Sequence, residues 1–185
     1  TDKAIVVGLG KWLGLFHILT RQFAKEHPDF IARAREWTEL HDGVLAEIPV
    51  CDVDQKLRSD PSRYGLIHGD VNLSNFYWSA ELGLPCMFDW DQVQKSWFEY
   101  DLSSPIWTVV MLHGAGSPID NSPVPQANIK QYTDWILEGY EESVGHKVDR
   151  EMLQRMLEIR RQFYKRFCQR AVKELPAEHP MMYFC

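Results

Sequence analysis

The chain has 185 residues, 45% of them hydrophobic, which is enough for one substantial core, and no long polar linker divides it. Its 20 Lys and Arg against 26 Asp and Glu leave a formal charge of -6, so composition gives no electrostatic reason to expect a nucleic-acid partner. Apolar runs such as residues 4–9 are too short for a bilayer, no secretory leader is expected, and the cysteines form neither a CxxC pair nor a zinc spacing, which favours a reducing, cytoplasmic setting without a membrane partner.

Trp12, Phe16, Leu19 and Phe23 recur at helical spacing and predict an amphipathic helix to about Glu26, stopped by Pro28. A second helix is expected over residues 29–40, with Gly43 as its C-cap. Residues 47–63 hold Pro49 and Pro61 without periodicity, and read as a loop with at most a short helical turn. The middle changes character. Residues 65–67, 76–78 and 84–88 are short apolar runs punctuated by Gly, Asn and Ser, the pattern of small strands around functional loops.

Ser104 followed by Pro105 has the form of an N-cap with proline at the first helical position, and residues 106–112 continue as helix to Gly114. Ser96 and Glu99 form a competing capping box. Residues 114–125 are turn-rich, residues 128–142 read as helix, and Asp149 is placed to cap a last long helix with Met152, Met156, Ile159, Phe163 and Phe167 as its core stripe. The basic run 160–166 is expected to be a solvated face of that helix, and the apolar tail 181–185 to dock on a surface.

The chemistry concentrates in His68-Gly-Asp-Val-Asn-Leu-Ser-Asn75 and Phe88-Asp-Trp-Asp91. Phosphoryl transfer to an alcohol needs the hydroxyl aimed in line, its proton accepted, and the charge of the triphosphate neutralised. Asp70, in a tight loop after a strand, is the candidate that orients the hydroxyl and takes its proton late in the transfer, when a strong base is unnecessary. Asn75 offers a hard, neutral oxygen suited to Mg²⁺, and a strand delivers Asp89 to the same metal. Asp91, two residues on and on the same side if the strand continues, is the second candidate metal ligand, for a second ion or its water shell. His68 reads as a buried brace of the loop rather than an acid or phosphoryl carrier, and Gly69 permits the tight turn. Asp101 either caps the following helix or accepts hydrogen bonds from the loop backbone. Trp90, Trp97 and Trp107 line a substrate wall or pack the core. No nucleophile elbow, HExxH or third His or Cys group near His68 supports another scheme.

His68-Gly-Asp70 with four residues before Asn75, then Phe88-Asp-Trp-Asp91 and Glu99-Tyr-Asp-Leu102, resembles the aminoglycoside phosphotransferase and choline kinase family, a branch of the protein-kinase-like fold. The early helix, with its Lys11-Trp-Leu-Gly-Leu-Phe-His17, is similar to that family's first carboxy-lobe helix. The resemblance implies that Asp70 is the catalytic base, that Asn75 and Asp89 hold magnesium and with it ATP, that His68 braces the loop and that Asp101 anchors the catalytic region.

The expected fold is therefore α+β, mainly helical: a single kinase-like carboxy-terminal lobe over residues 1–185 with a small β region carrying the catalytic and metal loops. The family's amino-terminal lobe, with its phosphate-gripping lysine, has no counterpart, since Lys3 and Lys11 stand in helical context. That half is expected from the same parent chain or from another chain, with little activity from this one alone. The acceptor is a small-molecule hydroxyl; Glu36, Glu39, Asp120, Glu138, Glu141 and Glu142 suggest a cationic one, such as an amino sugar or a choline-like amine. The alternative is a non-catalytic kinase-like module that binds a small molecule or a partner protein.

Overall fold

The computed structural model describes residues 2–39, 47–49, 52–113 and 129–176. Helices α1 (Lys3–Glu26), α2 (Pro28–Arg33) and α3 (Asp52–Leu57) precede four short strands, β1 (Tyr64–Ile67), β2 (Phe76–Ser79), β3 (Leu84–Met87) and β4 (Gln94–Trp97). Helices α4 (Phe98–His113), α5 (Ile129–Val144) and α6 (Arg150–Glu174) complete the order. The predicted cap at Gly43, the connection 114–125, the acidic Asp120 and the tail 181–185 lie outside the described residues.

The first helix buries a different face from the one its large side chains suggest. Val6, Leu9, Leu13 and His17 are buried together with Gly8, Gly10 and Gly14, whereas Leu19 and Phe23 of the predicted stripe are exposed. Glycine decides this. A β-carbon added to Gly10 would lie 2.0 Å from the Ile136 carbonyl oxygen, and one added to Gly139 2.0 Å from that of Val7, so the α1 and α5 backbones touch through residues without side chains. This helix is long and apolar enough to span a membrane by length and composition, but its buried face packs on α5 within the core.

The two sheets are two-stranded antiparallel ladders, β1 with β4 and β2 with β3. Phe76 faces Met87 and Ser79 faces Leu84 in one; Tyr64 faces Trp97 and Ile67 faces Gln94 in the other. β4 had no counterpart among the predicted strands, because Gln94 to Trp97 is not an apolar run. Its pairing fixes it: Gln94, Ser96 and Trp97 are buried against β1 and the helices.

Three predicted boundaries are corrected. The second helix ends at Arg33 rather than near residue 40, because Ala34 turns extended and the Arg35 carbonyl accepts the Lys95 N–H at 2.8 Å, drawing this segment alongside β4. Trp37–Glu39 then forms one 3₁₀ turn. α4 begins at Phe98, directly after β4, so Pro105 sits inside the helix and neither proposed cap forms. Proline there forfeits the hydrogen bond to the Asp101 carbonyl; burial of Tyr100, Leu102 and Ile106 outweighs that loss. The predicted Asp149 cap is present: its carboxylate accepts the Met152 N–H at 3.0 Å and starts α6.

Two apolar clusters make the core. One joins α1, α4 and α5 with Val71 of the central loop. The other gathers Trp37, Ile67, Trp97 and Tyr100 around Met152, Met156, Ile159 and Phe163 of α6. Within the basic run Arg160 is buried, stacking over Tyr100 at 4.3 Å and donating to the Tyr100 carbonyl at 3.0 Å, so this position is structural rather than solvated. Cys86 is free, whereas Cys168 is disulfide-bonded, which the irregular cysteine spacing did not signal.

Candidate active site

The candidate side chains stand in the loops that leave and enter the strands. β1 ends one residue before His68, β2 begins one residue after Asn75, β3 ends two residues before Asp89, and β4 starts three residues after Asp91. The ladders therefore deliver both loops to one place.

The loop 68–75 is built on Asp101. That carboxylate is fully buried at the start of α4; its Oδ2 accepts the His68 N–H at 3.0 Å and its Oδ1 the Gly69 N–H at 2.9 Å. His17 of α1 contacts the same Oδ2 at 3.1 Å through Nε2, while its Nδ1 is 2.9 Å from the Tyr140 hydroxyl of α5. The ring thus bridges the carboxylate of α4 and the hydroxyl of α5. Burial pushes the Asp101 carboxyl up, but the His17 hydrogen bond, the nearby histidine rings and the His68 N–H outweigh it and hold it below the usual carboxylate value. Of the two readings of Asp101 from sequence, loop anchoring is the one the geometry realises. His17 and Tyr140 were missed as members of this chain, since nothing local marks a helix histidine as the partner of a residue 84 positions away.

His68 is buried, and its Nδ1 accepts the Asp70 N–H at 3.3 Å, which rigidifies the step into the loop. Gly69 has φ of 86°, and a β-carbon there would stand 2.3 Å from the Gln92 carbonyl oxygen. Only glycine lets the two loops close on each other. Asp70 Oδ2 accepts the side-chain amides of Asn72 at 2.9 Å and Asn75 at 2.8 Å. No protein hydrogen bond engages its Oδ1 among the described residues. Asn75 is buried; Nδ2 also donates to the Asp70 carbonyl at 3.0 Å, so the amide nitrogen is committed and Oδ1, with only the Ser74 hydroxyl at 3.4 Å, is left to face a ligand.

The Asn75 carbonyl accepts the Phe88 N–H at 3.0 Å, tying the loop to the segment that carries Asp89. Asp89 takes a left-handed backbone, φ 64°, unusual for a residue with a side chain. Its carboxyl is pushed above its ordinary value, first by the charge of Asp91, then by slight burial, a hydrogen bond with Asp91 and the charge of Asp70. Three carboxylates thus crowd one exposed corner. Arg35 holds the turn behind them, donating to the carbonyls of Asp91 and of Val93, the latter at 3.2 Å. That anchor too is invisible in sequence, because it depends on the extended segment lying along β4.

His68, Asp70, Asn75, Asp89 and Asp91 therefore gather at one site. Among the described residues no cluster of three or more His, Cys, Asp and Glu is arranged to hold a metal. An ion here would need the Asn75 oxygen together with the Asp89 and Asp91 carboxylates. This set fits a hard divalent cation: all its donors are oxygens, and the cation would relieve the crowding that raises the Asp89 carboxyl. Of the three tryptophans, Trp97 is core, while Trp90 is half exposed and packs with its ring centre 4.5 Å from that of His68. The acidic residues proposed to attract a cationic acceptor are largely ion-paired: Glu36 with Arg58 and Lys95, Glu138 with Lys3, Glu141 with Lys147 and Arg150, and Glu142 with Lys11.

The chain belongs to the phosphotransferase enzyme family (APH), which matches residues 6–135. It is 27% identical over 122 residues to amicoumacin kinase of Bacillus subtilis (strain 168), a match covering 59% of this chain and 35% of that protein. The solved structure of amicoumacin kinase hAmiN in complex with AMP-PNP, Ca²⁺ and Ami superposes with a TM-score of 0.68 at 21% identity, covering 98% of this chain and 57% of that one. The fold is thus kinase-like, mainly helical with small antiparallel sheets. The chain spans about a third of the curated relative and somewhat over half of the structural neighbour.

Proposed function

We propose that this chain carries the acceptor and metal half of an ATP-dependent phosphotransferase that acts on a small-molecule hydroxyl. The observation that carries the reading is Asn75, whose side-chain nitrogen ties down Asp70 and whose main-chain carbonyl accepts the Phe88 N–H at the start of the segment bearing Asp89 and Asp91. Family membership and the nucleotide analogue AMP-PNP bound in the structural neighbour support it.

Asp70 Oδ1 would receive the acceptor hydroxyl, and the Asn72 and Asn75 amides on Oδ2 hold the carboxylate plane in place. As the acceptor oxygen bonds to the γ-phosphorus and the bond to the β-phosphate oxygen breaks, the hydroxyl proton passes to Asp70. Asn75, Asp89 and Asp91 would hold Mg²⁺, which when bound neutralises charge on the phosphates. The buried Asp101, His17 and Tyr140 chain fixes the loop so that no reorganisation is needed during transfer. The nucleotide's remaining contacts fall to the part of the relatives' length that this chain does not span, in the same polypeptide or in another.

The test is phosphate transfer from labelled Mg²⁺-ATP to a panel of hydroxylated small molecules by the longest polypeptide containing this chain. Asp70→Asn should lower turnover by about 10² or more with little change in melting temperature. Turnover at the unsubstituted rate would remove Asp70 from its role. Ligand affinity that is the same with and without metal, with no transfer, would favour the non-catalytic module.

A further inference from the structure

Between α4 and α6 lies an open cleft of about 880 Å³, within the size range of small-molecule sites. Trp107 and Tyr164 form its aromatic wall, with ring centres 5.7 Å apart, and Met111 extends it. Arg161, Lys165 and Lys173 supply its charge, and no Asp or Glu lines it. Arg161 is neutralised by Glu158 through two contacts of 2.7 Å. Lys165 and Lys173 line the cleft and make no ion pair among the described residues, which leaves two ammonium groups without a counter-ion in a chain whose formal charge is -6. The Trp107 indole N–H is buried without an acceptor among the described residues.

Helix α6, which lines this cleft, also holds the helix start that carries the loop anchor. Arg160, one turn before Tyr164, donates to the carbonyl of Tyr100 and to the Ser103 hydroxyl, on either side of the Asp101 that holds the loop. The charge of Asp70 also reaches the Tyr164 hydroxyl, where it adds to burial in raising that group.

We infer that the cleft binds an aromatic acceptor carrying an anionic group, its ring stacked on Trp107 and Tyr164 and its oxyanion held by Lys165, Lys173 and the indole N–H. The inference rests on the phosphotransferase reading for the word acceptor, though binding itself does not. It replaces the cationic acceptor suggested by composition, because the acidic residues behind that expectation are largely paired and the exposed charge of this cleft is positive.

Calorimetric titration of the full chain, without nucleotide, with phenyllactate, neutral phenylpropanediol and cationic phenylalaninol tests it. Phenyllactate should bind about tenfold or more tighter than either, and the double variant Lys165→Glu, Lys173→Glu should abolish that preference while circular dichroism stays unchanged. Equal or tighter binding of the neutral or cationic compound, or a preference that survives the double variant, overturns the inference. Binding of phenyllactate without phosphate transfer from Mg²⁺-ATP, assayed with the longest polypeptide containing this chain, sustains the cleft and counts against the phosphotransferase reading. Transfer to the cationic compound alone does the reverse.

Discussion

His17 Nε2 lies 3.1 Å from Asp101 Oδ2, and both side chains are sealed from solvent. The pair joins α1 to the start of α4, and the same carboxylate carries the first two N–H groups of the loop 68–75. One buried charge therefore sets both helix packing and loop position. Removing either partner strands the other in low dielectric.

His17→Leu should cost about 3 kcal/mol of folding free energy, because Asp101 then keeps only its backbone donors and Tyr140 loses its partner. Tyr140→Phe removes one hydrogen bond and should cost about 1 kcal/mol. Urea unfolding followed by circular dichroism measures both. If the two variants proved equally mild, His17 would not hold the buried charge.

The Asp101 carboxyl lies below its ordinary value in the folded protein. A carboxyl lowered by folding contributes stability above its unfolded value, about 3.9, and loses that contribution as pH falls through the folded value. Glu36, Glu141 and Asp149 are lowered too, and Glu158 to about 2, so they act in the same direction. The urea midpoint should fall below about pH 4, and it should fall less steeply in Asp101→Asn, whose baseline stability is lower. Equal slopes for the two proteins would contradict the shift.

Gly69→Ala forces a side chain into a left-handed backbone and against the Gln92 carbonyl oxygen, 2.3 Å from the new β-carbon. The expected loss is about 1–3 kcal/mol, together with weaker metal binding because Gln92 adjoins Asp91. Thermal melts and Mn²⁺ titration read the two effects separately.

Gly139→Ala places a methyl 2.0 Å from the Val7 carbonyl oxygen and should pry α5 from α1. A loss of about 2 kcal/mol or more is expected. Gly83→Ala gives the contrast: its β-carbon would meet open space, so only the cost of its positive φ remains. A milder effect at Gly139 than at Gly83 would show that the helices separate without difficulty.

Asp89→Asn should lower Mn²⁺ affinity, read by electron paramagnetic resonance, while leaving the urea midpoint of the metal-free protein unchanged or slightly raised. The reason is that the substitution removes one of three crowded carboxylates at an exposed position. A fall in stability without change in Mn²⁺ affinity would make Asp89 a structural residue.

Much of the candidate site's geometry was legible because its residues lie close along the chain. Asp70 and Asn75 meet within a loop of a few residues, and short strands on either side predict that the loop is held rigidly. The long-range anchors were not. His17 to Asp101, Arg35 to Asp91 and Arg160 to Tyr100 each bridge more than fifty positions and carry no local signature. The stripe on α1 was misassigned for a related reason: large apolar residues marked a helical face, but the buried face belongs to the glycines that admit α5.

Local order along the chain established the helices, three of the strands, the Asp149 cap and the kinship carried by residues 68–75 and 88–91, since spacing and residue type act over a few positions. Packing alone decided where α2 stops, why α4 starts ahead of Pro105, which histidine holds Asp101, and that the open cleft is basic. These depend on pairs brought together across the chain, and the free energy of burying or pairing a group is defined only once its neighbours are in place.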